Sequence, residues 1–190
     1  MKCVMLSIRP KYCELIASGK KTVEVRKTKP KIDVPFKCYI YCTTDKRLLR
    51  KFNKGERIDD EHFFDEHVFV RQNTWIRGHL NPNQKVIGEF VCDRIVEFEN
   101  SWYDHAFAET SELSCVGWEE LALYLGGKGY GYGWHISGLV IYDKPKELSE
   151  FRSYNVSTYI DEKFGLPMPT HEIKRPPQSY MYVEELKGEN

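Results

Sequence analysis

The stretch Leu6–Pro30, LSIRPKYCELIASGKKTVEVRKTKP, decides how the rest of the chain is read. It opens on the end of an apolar run, Cys3–Ile8 (CVMLSI), which reads as a buried strand. Pro10 then suits the first turn of a helix, where its missing N–H costs nothing. Tyr12, Leu15 and Ile16 follow at i, i+3 and i+4 and form one apolar face, and Gly19 closes the helix. Lys21–Arg26 (KTVEVR) alternates in the manner of a strand: Val23 and Val25 face one way, and Thr22, Glu24 and Arg26 face the other. Lys27–Lys31 (KTKPK) is a loop by its charge and its proline. A strand–helix–strand unit thus carries a dense group of cations and one acid.

Outward from this unit, Phe36–Thr43 (FKCYIYCT) reads as a strand, and Lys85–Phe98 (KVIGEFVCDRIVEF) as one long strand bent near Gly88. Ser114–Leu125 reads as a second helix with Trp118, Leu121, Ala122 and Leu125 on its core-facing stripe. Gly126–Gly133, with five glycines in eight residues, reads as a loop leading into the strand WHISGLVIYD. Residues 152–175 look irregular, and SYMYVEEL closes the chain as a last strand. About five strands with two short helices and no repeating strand–helix unit predict an α+β fold with a barrel-like sheet. The 190 residues fit one domain, with an insertion at about 45–84 and a C-terminal extension from about 152.

Composition narrows the class. Hydrophobic residues at 41% allow a real core, and no apolar run approaches the ~18 residues of a membrane span. The N-terminal apolar run is too short for a signal peptide, so a cytoplasmic location is expected. Six dispersed cysteines without a C-x-x-C pair predict reduced, buried thiols. Cys38 and Cys42 share a strand face, but no second ligand pair follows, and no metal or cofactor is expected. The net charge of zero hides a split. Residues 1–54 hold fifteen Lys/Arg against four Asp/Glu, and residues 55–190 hold thirteen against twenty-four. Such segregation projects a positive potential toward an anionic partner unless the fold interleaves the two parts.

Three segments carry candidate chemistry. In the first, Ser7, Arg9, Lys20, Lys21, Glu24, Arg26, Lys27 and Lys29 gather around the opening unit. Glu24 and Arg26 are neighbours on one strand face, so the carboxylate can fix the guanidinium fork for a phosphate or a base edge. A water-activating Glu24, with Lys21 and Arg26 stabilising an oxyanion, is the enzymatic version. In the second, Tyr130, Tyr132 and Trp134 alternate with glycine and offer faces for a stacked base or for core packing. His135 beside them fits a general base or a hydrogen-bonded structural role. In the third, Lys174, Arg175 and Gln178 supply donors near the C-terminus, or simply flank a proline-braced turn.

The stretch SGKKTVEVRK, residues 18–27, resembles the signature of the ASCH domain family, a glycine–lysine turn followed by a strand bearing Glu and Arg. GYGWHISGLVIYDKPKELSEF and RPPQSYMYVEEL resemble the larger ASCH proteins of bacterial and phage genomes. The resemblance implies a PUA-like mixed β-barrel with short flanking helices and a cleft beside the first helix. It implies RNA binding, with one branch acting as an amidohydrolase on acetylated cytidine and another relative as a ribonuclease. In the amidohydrolase branch a lysine and a threonine of this strand are catalytic together with a distant glutamate. Lys21 matches that lysine, Glu24 stands in the threonine's place, and Thr22 comes two residues too early.

The expectation is therefore an RNA- or nucleotide-binding protein. Lys21 and Glu24 would be the catalytic pair of any hydrolase. Ser7, Arg9, Lys20, Arg26, Lys27, Tyr132, Trp134, His135, Lys174, Arg175 and Gln178 would bind the ligand. A hydrolase on RNA or a modified nucleoside and a prophage-type regulator of a host protein are the alternatives.

Overall fold

Short apolar runs set the sheet. The computed structural model describes residues 3–43, 75–76, 79–80, 85–154 and 169–186. The strands are β1 (Cys3–Ile8), β2 (Val23–Arg26), β3 (Phe36–Cys42), β4 (Trp75–Ile76), β5 (His79–Leu80), β6 (Val86–Cys92), β7 (Ile95–Glu99), β8 (Tyr130–His135), β9 (Ser137–Lys146), β10 (Arg152–Tyr154), β11 (Thr170–Glu172) and β12 (Tyr180–Val183). The helices are α1 (Pro10–Ala17), α2 (His105–Leu113) and α3 (Trp118–Leu125). A seven-stranded sheet runs in the order β11-β10-β12-β1-β3-β6-β9, a three-stranded sheet in the order β2-β8-β7, and β4 pairs with β5. Among the described residues only β1 and β3 pair in parallel, with Cys3 opposite Lys37 and Ile8 opposite Cys42; α1 and β2 lie on the crossover between them.

The α+β class stands. Among the described residues the strands form open orders and not a closed ring. Most of the expected insertion at 45–84 lies outside the described residues. Beyond residue 152 the chain is less irregular than its composition suggests, because β10 and β11 extend the seven-stranded sheet.

Several boundaries differ for identifiable reasons. Lys85–Phe98 is two strands, not one: β6 belongs to the large sheet and β7 to the small one, with the change of direction at Asp93-Arg94. Gly88 does mark an irregularity, since the β6–β9 register shifts beside it. α2 was not anticipated; its Asp104 side chain caps the helix by accepting from the Ala106 N–H at 2.8 Å. Ser114 belongs to the end of α2 and not to the start of α3. Trp118 leaves the expected core stripe and is 43% exposed, while Leu121 and Leu125 are buried. The expected glycine loop becomes β8, because Gly131 and Gly133 let α3 and α2 press onto the sheet. A Cβ on Gly131 would come within 2.7 Å of Leu125 and Phe98, and one on Gly133 within 3.2 Å of Thr110.

The principal core lies between the two sheets and under α1. It contains Leu6, Ile16, Phe36, Ile40, Phe90 and Trp134, with Trp134 edge-on to Phe36 at 5.5 Å. Phe98, Phe107, Leu121 and Leu125 fill a second core between the small sheet and α2–α3. All six cysteines are free thiols, and five are buried. Burial pushes the Cys3 thiol up to about 11 and the Cys92 thiol to about 12, in keeping with an inert role.

The β6–β9 packing yields a direct test. A methyl group on Gly88 would overlap the Val140 carbonyl oxygen, which is backbone and cannot swing aside, whereas Gly127 faces open space. Gly88→Ala is expected to destabilise the fold by ~1–3 kcal/mol in urea unfolding, and Gly127→Ala to change it by less than ~0.5 kcal/mol.

Candidate functional site

Gly19, at φ +74°, ends α1 and turns the chain back beneath it. The Lys21 N–H then donates to the Leu15 carbonyl at 2.9 Å, and the Thr22 N–H to the Leu113 carbonyl at 2.9 Å. These two bonds fix where β2 begins. All four β2 residues are buried although two are charged. β2 pairs with β8, with Glu24 opposite Trp134 and Arg26 opposite Tyr132. Val23 and Val25 consequently turn toward the helices and the charged pair toward the other face, as the alternation implies.

Glu24 lies between two cations. One carboxylate oxygen is 2.9 Å from Arg26 Nη2, and the other is 3.3 Å from Lys21 Nζ. Lys21, Glu24 and Arg26 are 2%, 7% and 5% exposed. Removing such charges from water is costly, and carbonyl dipoles offset the cost. Lys21 Nζ donates to the Ser114 carbonyl at 2.9 Å, at the negative end of α2. Arg26 donates through Nη1 to the Ser179 carbonyl at 3.2 Å and through Nη2 to the Ser7 carbonyl at 3.0 Å. The Arg26 fork is thus engaged by two backbone carbonyls and by Glu24, which anchors β2 to the segments that carry them. Of the three Arg26 guanidinium nitrogens, Nε is buried without a hydrogen-bond partner among the described residues.

The aromatic cover over this triad comes from residues the sequence reading did not single out. The Tyr12 ring sits 5.1 Å from Lys21 Nζ, and its hydroxyl donates to Glu120 of α3 at 2.7 Å. Lys11 reaches the same carboxylate at 3.7 Å, so α1 and α3 are tied together above Lys21. Tyr124, 40% exposed on α3, lies under Lys27 at 5.1 Å. Burial pushes the Tyr124 hydroxyl up, and the charges of Arg26, Glu24 and Arg9 all act on it. Burial and the Glu120 bond also push the Tyr12 hydroxyl up, with Arg9 and Glu24 again in electrostatic reach. Two tyrosines from two helices therefore converge on the triad. Tyr12 was legible only as part of an apolar helix face, and Tyr124 sits between the residues of such a face.

The remaining expected residues divide. Ser7 belongs to the site but its hydroxyl donates to the Pro177 carbonyl at 2.6 Å, holding the 177–179 segment in place. Arg9 and Lys20 are exposed and Lys27 is half-buried. None of these three cations meets a carboxylate at ion-pair distance among the described residues. Lys174, Arg175 and Gln178 are exposed on the segment that supplies the Ser179 carbonyl. Trp134 is fully buried between Phe36 and Tyr180, so it cannot stack a base from solvent. Tyr132 is 9% exposed, with Lys29 over its ring at 5.5 Å. His135 faces away, with Nδ1 2.6 Å from Asp93 on the turn between β6 and β7, and this bond holds the Asp93 carboxyl below its usual range. The structure thus joins Lys21, Glu24 and Arg26 directly, bonds Arg26 to the Ser7 carbonyl, sets Lys27 and Arg9 by Tyr124, and Trp134 opposite Glu24 on β8, leaves Lys20 exposed next to Lys21 in the chain, and holds His135 apart on Asp93. No group of three metal-ligating side chains occurs among the described residues.

An α+β protein with a buried cation–carboxylate–cation triad beside its first helix is the class that these features define. The ASCH domain model matches residues 6–156, and the chain belongs to the ASCH domain family. Among solved structures, ASCH from Zymomonas mobilis is similar with a TM-score of 0.57 and 17% identity, covering 97% of this chain and 89% of that one. A serine-to-alanine mutant of the same Zymomonas mobilis protein gives a TM-score of 0.58 at 16% identity, with coverage of 97% and 89%. At such identities the likeness concerns the fold. No curated protein matches. No described helix is long and apolar enough to cross a membrane.

The triad and its cover make separate predictions. Lys21→Ala leaves the buried Glu24 with one cation and the Ser114 carbonyl without its donor, so a loss of ~3–5 kcal/mol in urea unfolding is expected. Lys21→Met, which keeps the volume, should lose less than Lys21→Ala. The Tyr12 donor, chiefly, holds the Glu120 carboxyl below its usual range. A carboxyl depressed in the folded state stabilises above its unfolded pKa, and that stability fades as pH falls through the folded value. Tyr12→Phe should therefore melt below the native protein at pH 7, and the gap should close on acidification toward pH 3.

Proposed function

We propose that this chain is an RNA- or nucleotide-binding member of its family, PUA-like in architecture, with the ligand held beside α1 and β2. The observation that carries the reading is the layered charge around Glu24. Lys21 and Arg26 sit buried on either side of it, and Arg9, Lys20 and Lys27 stand outside without carboxylate partners among the described residues. The outer three act as point charges on a phosphate backbone. Tyr12, with Lys11 and Lys21 at its ring, and Tyr124, with Lys27, supply flat faces for a base, a role first expected of the Tyr130–Trp134 stretch. The inner triad acts as a rigid floor whose geometry does not depend on the ligand. Lys174, Arg175 and Gln178 extend the donor set along the 174–178 segment.

The hydrolase alternative uses the same place, with Glu24 as the water-activating group. Both of its oxygens are engaged by cations, which favours binding over proton transfer.

Fluorescence anisotropy with a labelled single-stranded RNA separates these readings. With about three phosphates neutralised, log affinity should fall with log salt at a slope near −2, roughly 20-fold from 50 to 200 mM. Replacing Arg9, Lys20 and Lys27 together by alanine should flatten that slope. Absence of binding to RNA and to nucleotides at low salt would sink the proposal. RNA cleavage or deacetylation of acetylated cytidine, lost in Glu24→Gln with the fold intact, would put the hydrolase in its place.

A further inference from the structure

Between Arg94 and Lys128 the chain carries no Lys or Arg and seven Asp/Glu. The same stretch holds a cluster of exposed aromatic side chains. Tyr103 is 95% exposed, Trp102 64% and Trp118 43%, and Trp102 lies against Trp118. Tyr130, at 44%, shares with Tyr103 an open depression of about 680 Å³, which is also lined by Glu97 and Glu99. Large aromatic rings left in water in one cluster mark a surface that something covers.

We propose that this Trp102–Trp118 face is a docking surface for a Lys/Arg-rich segment of a partner protein. Charge selects the occupant. Glu99 and Glu119 flank the two tryptophans without an ion-pair partner among the described residues, whereas Asp104 is spent on capping α2. A phosphate backbone or an anionic lipid surface is repelled here, while guanidinium groups gain from the carboxylates and from the ring faces together. The depression beside Tyr103 and Tyr130 gives an arginine side chain a place to lie. The surface is separate from the triad, so this inference stands or falls independently of nucleic-acid binding.

The probe is a fluorescently labelled ten-residue peptide of alternating arginine and alanine, titrated into the full-length chain at 50 mM salt. Saturable binding is expected, with quenching or shift of tryptophan emission. It should weaken at least tenfold in Trp102→Ala/Trp118→Ala and likewise in Glu99→Gln/Glu119→Gln. Arg9→Ala/Lys27→Ala should bind the peptide as the native chain does. Apart from the half-buried Lys27 these side chains are exposed, and circular dichroism melts check that each variant folds. Failure to bind the peptide overturns the proposal outright, and equal binding by the tryptophan variant overturns it in favour of bare electrostatics. RNA binding lost in the tryptophan variant assigns the face to nucleic acid and also overturns it. A dimer in light scattering that the tryptophan variant abolishes gives the face to a second copy, with the same consequence.

Discussion

Glu24 is the point on which the site depends. A carboxylate only 7% exposed tolerates burial because Arg26 and Lys21 meet its two oxygens. Those cations tolerate burial in turn because three backbone carbonyls face them, from Ser7, Ser114 and Ser179. The carbonyls come from β1, from the end of α2, and from the segment just before β12. One short polar network therefore pins three remote parts of the chain to β2. An ionic core of this kind adds little net stability compared with apolar residues of the same volume. It does fix positions, because any displacement of a participating element leaves a buried charge unpaired.

That arrangement explains the order of the surrounding structure. Gly19 reverses the chain, Lys21 is caught by Leu15, and the crossover from β1 to β3 passes through β2 in the second sheet. Gly131 and Gly133 then let α2 and α3 approach the far side of the same sheet. The close approach of α2 places the Ser114 carbonyl over Lys21. The charged face of β2 and the small-residue face of β8 are two consequences of one packing requirement.

The legible parts were those governed by local pattern. The alternation of KTVEVR put Glu24 and Arg26 on one face and the valines on the other, and the Pro10 and Gly19 signals bounded α1 closely. What was missed was tertiary. Glycine at alternate positions of β8 looks like a loop from propensity alone, yet it is strand because Phe98, Leu125 and Thr110 occupy the space a Cβ would need. Trp134 offers a π face in sequence, and only the packing against Phe36 reveals it as core. Helix α2 has a weak apolar rhythm, and its cap Asp104 lies in a run rich in turn residues. Backbone carbonyls as partners of Lys21 and Arg26 leave no sequence signal at all, since every residue carries one.

The charge split in the sequence has a counterpart in the small sheet. Part of it does cancel, as Lys37 meets Glu89 and Glu185 and Lys85 meets Glu147. The β2-β8-β7 sheet preserves the remainder. Its β2 edge carries Lys21 and Arg26 with Lys20 and Lys27 at its ends, and its β7 edge carries Glu97 and Glu99. Strand β8, mostly glycine and aromatic residues, separates the edges by two strand spacings, about 10 Å, and Lys29 reaches across it to Glu97 at 4.0 Å. At physiological salt that distance is about one Debye length, so, the Lys29–Glu97 pair aside, the two edges act on solvent largely as separate fields. A neutral chain can in this way attract an anion at one edge while an acidic, aromatic surface grows from the other, because the intervening strand contributes mainly backbone and aromatic rings.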